Sequence, residues 1–119
     1  MKTILVIDDN ETFRFILAEW LRDEGFYPIT AAGGFEGVRL AQSHHPDVIL
    51  CDVNMPSMNG IEVLQQLYAD MSTSHIPFFF LTSEDRFQSY ILQQPGASGV
   101  ISKGSEISEL RRILTAIAA

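Results

Sequence analysis

The chain has 119 residues, 46% hydrophobic and 19% charged, with a formal net charge of -7 and one cysteine, which sets the expectation of a single domain over residues 1–119 that buries roughly two-thirds of its unfolded surface without staples. Cys51 alone excludes an intramolecular disulfide and, with no apolar signal region at the N-terminus, points to a reducing, cytoplasmic setting. Apolar runs far shorter than the roughly 20 residues of a membrane helix exclude membrane insertion, and eight scattered Lys and Arg against fifteen acids argue against nucleic acid as a partner of this domain.

Thr3-Ile4-Leu5-Val6-Ile7 predicts a short buried strand, stopped by the acidic pair Asp8-Asp9 and by Asn10, a helix cap. Phe13, Ile16, Leu17, Trp20 and Leu21 recur at three- and four-residue steps and predict the apolar face of a helix that Gly25 closes. Tyr27 to Ala31 is a second strand, and Phe35, Val38 and Ala41 mark a shorter helix before Pro46. Val48-Ile49-Leu50-Cys51 is again a buried run, and it ends on Asp52 before Val53-Asn54-Met55-Pro56 turns the chain. Asn59 and Glu62 have the spacing of a capping box, opening a third helix with the stripe Ile61, Leu64, Leu67, Tyr68 and Met71 that Ser72-Thr73-Ser74 breaks.

Pro77 to Leu81 predicts a fourth strand that ends on the hydroxyls of Thr82 and Ser83. A helix from about Asp85 to Gln93, carrying Phe87, Tyr90 and Ile91, is cut off by Pro95-Gly96. Gly99 to Ser102 is a short fifth strand ending on Lys103, and Ser105 caps a last helix with Ile107, Leu110, Ile113, Leu114 and Ile117. Five strands alternating with five helices over short connections imply right-handed crossovers and a doubly wound α/β fold with a parallel sheet. The strand order 2-1-3-4-5 is borrowed from flavodoxin-like folds of this alternation, which hold their ligands beyond the carboxyl ends of the strands. Asp8, Asp9, Asp52, Thr82 and Lys103 then converge at one end of the sheet.

Crowded carboxylates repel one another and raise each other's pKa unless a cation joins them. An all-oxygen donor set without His or Cys selects a hard ion, and a few carboxylates with room for water and phosphate suit Mg²⁺. Asp9 and Asp52 would bind it directly, and Asp8 directly or through water. Lys103 and Thr82 supply a mobile charge and a hydroxyl donor for phosphoryl oxygens, and a carboxylate can itself be the nucleophile. Asp52 is the candidate. Singly, Asp8-Asp9 reads as a solvated turn, Asp52 as a helix-capping acid, Thr82 as a strand-end hydroxyl and Lys103 as a surface lysine; their shared location favours the site. Cys51 and the Phe78-Phe79-Phe80 run read as core, and His44, His45 and His75 lack metal-site spacing.

With Val6-Ile7-Asp8-Asp9-Asn10, Cys51 to Gly60, Leu81-Thr82-Ser83, and Gly96-Ala97-Ser98-Gly99 leading to Lys103 in that order, the chain resembles, end to end, the receiver domain of two-component response regulators, in the manner of chemotaxis regulators. The resemblance implies a phosphoryl acceptor, not an enzyme acting on outside substrates, that catalyses its own phosphotransfer and autodephosphorylation. It implies Asp52 as phosphoacceptor, Mg²⁺ on Asp8, Asp9, Asp52 and the backbone carbonyl of Asn54, and a histidine kinase or phosphotransfer protein as donor. Thr82 and Lys103 would read the phosphoryl group and shift an output face formed by helix four, strand five and helix five, where an output protein or domain would bind. Asn54 and Glu84, two residues after the nucleophile and two after the threonine, would tune the lifetime.

Two positions depart from the family pattern: Val100 stands where receivers usually have an aromatic residue, and Gly104 where a proline usually follows the lysine. These departures sustain an alternative, a receiver-like interaction module that works without phosphorylation. A small metal-dependent phosphatase is a weaker rival, since the residue two after Asp52 is Asn54 rather than an acid and no cap domain is present.

Overall fold

The computed structural model describes residues 1–84, 86 and 88–118. Strands β1 (Thr3–Ile7), β2 (Tyr27–Ala31), β3 (Val48–Asp52), β4 (Phe78–Thr82) and β5 (Ala97–Ser102) alternate with helices α1 (Glu11–Asp23), α2 (Gly34–His44), α3 (Gly60–Tyr68), α4 (Gln88–Leu92) and α5 (Glu106–Ala118). All four strand pairings are parallel, and the order is β2-β1-β3-β4-β5. This is the expected flavodoxin-like doubly wound fold.

A parallel sheet covered on both faces must bury both sides of its central strands. Accordingly Ile4 to Ile7 and all of Val48 to Asp52 are buried. Alternation at period two sorts them: Leu5, Ile7, Ile49, Cys51, Phe78 and Phe80 face α2, α3 and Ile91 of α4, whereas Ile4, Val6, Val48, Leu50, Leu81 and Ile101 meet Leu17 and Leu21 of α1 and Leu110 and Leu114 of α5. Phe78 and Phe80 meet edge to face with ring centroids 5.0 Å apart. No described helix is long and apolar enough to cross a membrane.

The helical stripes need correction in detail. Ile16, Phe35, Tyr68 and Met71 are exposed. On α1 the buried residues are Leu17, Ala18 and Leu21, so the face is rotated toward Ala18, which an apolar count of large side chains passes over. On α2 the contact face includes glycines: a Cβ at Gly37 would lie 2.6 Å from Ile7 Cδ1, so the helix seats directly on β1 and Phe35 is left outside. Helix α3 stops at Tyr68, and the buried Thr73 hydroxyl donates to the Leu67 carbonyl at 2.7 Å, leaving Met71 in the exposed turn. The fourth helix is shorter than its expected span, covering Gln88–Leu92, and Asp85 and Phe87 lie outside the described residues. Strand β5 starts earlier than expected, at Ala97, with an irregularity in its pairing between Phe78 and Phe79. Ser105 immediately precedes α5 as expected of its cap, its carbonyl accepting from the Glu109 N–H at 3.3 Å, while its hydroxyl donates to the Ser102 carbonyl at 3.5 Å.

Candidate functional site

The carboxyl ends of β1, β3, β4 and β5 lie at the same end of the sheet, because the strands are parallel and in register. They deliver Asp8 and Asp9, Asp52, Thr82 and Lys103 there, in that order. Asp8 follows β1 directly, fixed by its backbone N–H to the Ala31 carbonyl and by the Asn10 N–H donating to its Oδ1 at 2.8 Å. Asn10 in turn caps α1, its side-chain oxygen accepting from the Phe13 N–H at 3.0 Å. Asp52 ends β3. The chain beyond it is held by the buried Met55 and Met58 and by the Gly60 N–H donating to the Val53 carbonyl at 2.9 Å. A Cβ at Gly60 would fall 2.3 Å from the Asp52 carbonyl oxygen, so α3 can begin this close only from glycine. The Asn59–Glu62 capping box then forms with both bonds present, at 2.9 and 3.0 Å.

Asp8, Asp9 and Asp52 bring three carboxylate oxygens within 4.8 Å of one another. Lys103 Nζ reaches into the same cluster, 2.8 Å from Asp8 Oδ2 and 3.6 Å from Asp52 Oδ2. Burial, and next the Asp8 carboxylate, push Asp52 up to about 6; Asp9 acts in the same direction, while Lys103 and the Asn54 backbone N–H pull it back. Asp8 is fully buried, and its Oδ2, apart from the Lys103 ion pair, has no hydrogen-bond partner among the described residues. A buried carboxylate oxygen with spare acceptor capacity beside two further acids is a fitting seat for a hard dication. Mg²⁺ therefore suits the donors present.

The remaining expected residues border this centre. Thr82 is buried at the end of β4, and its hydroxyl is engaged in a local turn, donating to the Glu84 carbonyl at 3.2 Å and accepting from the Glu84 N–H at 3.1 Å. The Lys103 N–H donates to the Thr82 carbonyl at 2.8 Å, which ties the two strand ends together. Asn54 and Glu84 are exposed and line a cleft of about 400 Å³ together with Ile61, Thr82 and Ile91. Val100 is half-buried against the α2–α3 side of the core, and Gly104 has φ of 106°. Cys51 is fully buried, its thiol pushed up by burial and by Asp52, and it donates to the Asp52 carbonyl at 3.3 Å. His44, His45 and His75 are exposed and outside the acidic cluster.

Three neighbours of the site were not legible as such. Arg14 Nη1 donates to the Asp8 carbonyl at 2.6 Å, Glu109 accepts from the Ser102 N–H at 3.2 Å, and the Phe13 ring lies under Lys103 with its centroid 4.5 Å from Nζ. Phe13 carried an apolar-stripe signal that pointed to the core.

This fold and acidic pocket define a class, and the comparisons agree: the chain belongs to the response regulator receiver domain family, whose family model matches residues 4–115. It is 32% identical to Protein PilH of Pseudomonas aeruginosa, across 100% of this chain and 99% of that protein. It is likewise 32% identical to the polar-differentiation response regulator DivK of Brucella ovis, over 86% of this chain and 84% of DivK. Among solved structures it resembles the chemotaxis protein CheY4 of Vibrio cholerae, with a TM-score of 0.89, 30% identity and 98% of each chain covered. The receiver domain of sensor histidine kinase PA1611 from Pseudomonas aeruginosa, with a magnesium ion coordinated in its active site cleft, superposes with a TM-score of 0.88 at 26% identity, covering 99% of this chain and 98% of that one. The protein is thus a phospho-accepting receiver of two-component signalling, with self-catalysed phosphotransfer and dephosphorylation, and its acidic cluster matches the Mg²⁺ site of such domains.

Proposed function

We propose that residues 1–119 act as one receiver domain in which Asp52 is the phosphoacceptor and Asp8, Asp9, Asp52 and the Asn54 backbone carbonyl hold Mg²⁺. The observation that carries this reading is the placement of Lys103 Nζ 2.8 and 3.6 Å from two of three carboxylates that themselves lie within 4.8 Å. Mg²⁺, when bound, supplies charge that lets a dianionic phosphoryl group approach the acids. An Asp52 oxygen then forms the new P–O bond as the P–N bond to the donor histidine of a kinase or phosphotransfer protein breaks. The donor imidazole keeps that electron pair and takes a proton from solvent. Lys103 offsets charge on the phosphoryl oxygens, and the Thr82 hydroxyl turns from Glu84 to donate to one of them. In a separate hydrolytic step, water attacks phosphorus as the P–O bond to Asp52 breaks, releasing orthophosphate and the Asp52 carboxylate. Asn54 and Glu84, on the cleft walls, set how readily that water arrives.

Output passes through the face of α4, β5 and α5 to a protein or domain, without nucleic acid contact by this domain and without membrane insertion, in the cytoplasm. A phosphorylation-independent module is the second reading, favoured by Val100 in β5 and by the Thr82 hydroxyl being engaged with Glu84. Intact mass after incubation with Mg²⁺ and a small phosphodonor separates the two. One added phosphoryl group, lost in Asp52→Ala and in EDTA, supports phospho-acceptance; equal labelling of Asp52→Ala refutes Asp52 as the acceptor.

A further inference from the structure

We propose that Phe13 is a positioning residue for phosphoryl transfer, its ring holding the Lys103 ammonium at the mouth of the acidic cluster once the carboxylates are engaged by metal and phosphoryl group. The proposal rests on the reading of Asp52 as phosphoacceptor. Lys103 Nζ has three described partners: Asp8 Oδ2 at 2.8 Å, Asp52 Oδ2 at 3.6 Å and the Phe13 ring centroid at 4.5 Å. Both carboxylates belong to the set that fits Mg²⁺, so when a dication neutralises them the ammonium loses attraction and gains a like-charged neighbour. The ring is different in kind. Its π face attracts a cation, yet it has no lone pair with which to ligate metal or take a proton. It can therefore stay with Lys103 through every state of the site.

The surroundings fix the ring and leave the lysine in need of it. Phe13 sits in the first turn of α1 with its N–H bonded to the Asn10 side chain, half-buried against the cluster that contains Ile4, Val6, Leu81, Ile101 and Leu110. Lys103 has a flexible four-carbon stem and is followed by Gly104 at φ 106°, not by a residue that locks the backbone. A restraint on the side chain matters more in such a loop.

Acetyl phosphate is the donor of choice for the test, because it needs no docking surface and a change on α1 cannot act through a protein partner. At saturating Mg²⁺, Phe13→Leu is expected to slow labelling of Asp52 by about 3- to 10-fold, the range of one cation–π contact, whereas Phe13→Tyr restores most of the rate. In a Lys103→Met background the added Phe13→Leu change should cost nothing further. Independently of labelling, the Lys103 ε-methylene protons should be shifted upfield by the ring in the NMR spectrum, with and without Mg²⁺, and return to ordinary values in Phe13→Leu. Equal slowing by Phe13→Leu in both backgrounds would mean a merely structural role; a wild-type rate in Phe13→Leu, or an upfield shift that vanishes when Mg²⁺ is added, would also overturn the proposal. Where Lys103→Met is too slow to time, the NMR arm decides. A wild type that takes no label fails the reading of Asp52 and this proposal with it, while normal Asp52-dependent labelling alongside any of the contrary results fails the proposal alone.

Discussion

The two halves of the sheet are built to different standards. On the β1–β3 side the loops that carry Asp8 and Asp52 are fixed several times over, by the Asn10 cap, the Arg14 bond to the Asp8 carbonyl, the Asn59–Glu62 capping box and the close approach of Gly60. On the β4–β5 side the Thr82 hydroxyl is held, among the described residues, by its own turn at Glu84, α4 is five residues long, and Val100 and Gly104 stand in and just after β5. The difference follows from what each half must do. Charged groups crowded at a buried site must not relax apart, whereas the proposed output surface would need two conformations close in free energy.

Glycine substitutions test that contrast most severely. Gly60→Ala forces a Cβ to within 2.3 Å of backbone at Asp52, and we expect it to cost about 3 kcal/mol in urea unfolding and to abolish labelling. Gly99→Ala in β5 meets only the edge of the Phe79 ring at 3.0 Å, with an expected cost of about 1 kcal/mol and labelling retained. Equal costs would erase the distinction between the halves.

Asp52→Asn gives a smaller effect of opposite sign. Because burial and Asp8 raise Asp52 to about 6, its ionisation opposes folding: the contribution favouring the metal-free fold is fully present below about pH 4 and lost as pH rises through about 6. Removing that charge should stabilise the metal-free protein at pH 7 by about 1–2 kcal/mol, after allowance for solvent screening. The gain should vanish near pH 4. The same protonation competes with metal, so Mg²⁺ affinity should fall about tenfold per pH unit below 6. A thermal unfolding series against pH and a Mg²⁺ titration at two pH values check both statements.

How much of this was legible in the sequence follows the same division. Asp8, Asp52, Thr82 and Lys103 could be placed because each ends a strand run, and a parallel sheet collects strand ends whatever the side-chain details. The order of the strands could not be derived, since alternation fixes handedness but not which strands neighbour. Ile16, Phe35 and Tyr68 were assigned to buried faces from apolar spacing, yet it is Ala18 on α1 and Gly37 on α2 that take up contact positions. Phe13 under Lys103 joins residues ninety apart in the chain, and nothing in a local pattern reports such a pair.

Lifetime should respond more gently than stability. Asn54→Arg and Glu84→Lys each place a long cation on a wall of the cleft beside Thr82, and either should slow loss of the phosphoryl group several-fold, about 1 kcal/mol or less in the barrier. Decay followed by mass after removal of donor measures it. An unchanged rate in both variants would show that attacking water does not come by way of this cleft.

The most direct measurement of the division itself is a map of backbone amide shifts on adding Mg²⁺ and beryllium fluoride, a mimic of the phosphoryl group, to the wild type and to Asp52→Ala. We expect large changes at Ser83, Glu84, Gln88 to Gln94 and Gly104, small ones at Val100, and none of them in Asp52→Ala. Shifts greatest at Val100 and along β5 with α4 silent, or shifts that persist without Asp52, would contradict a rigid acceptor site coupled to a soft β4–α4 output.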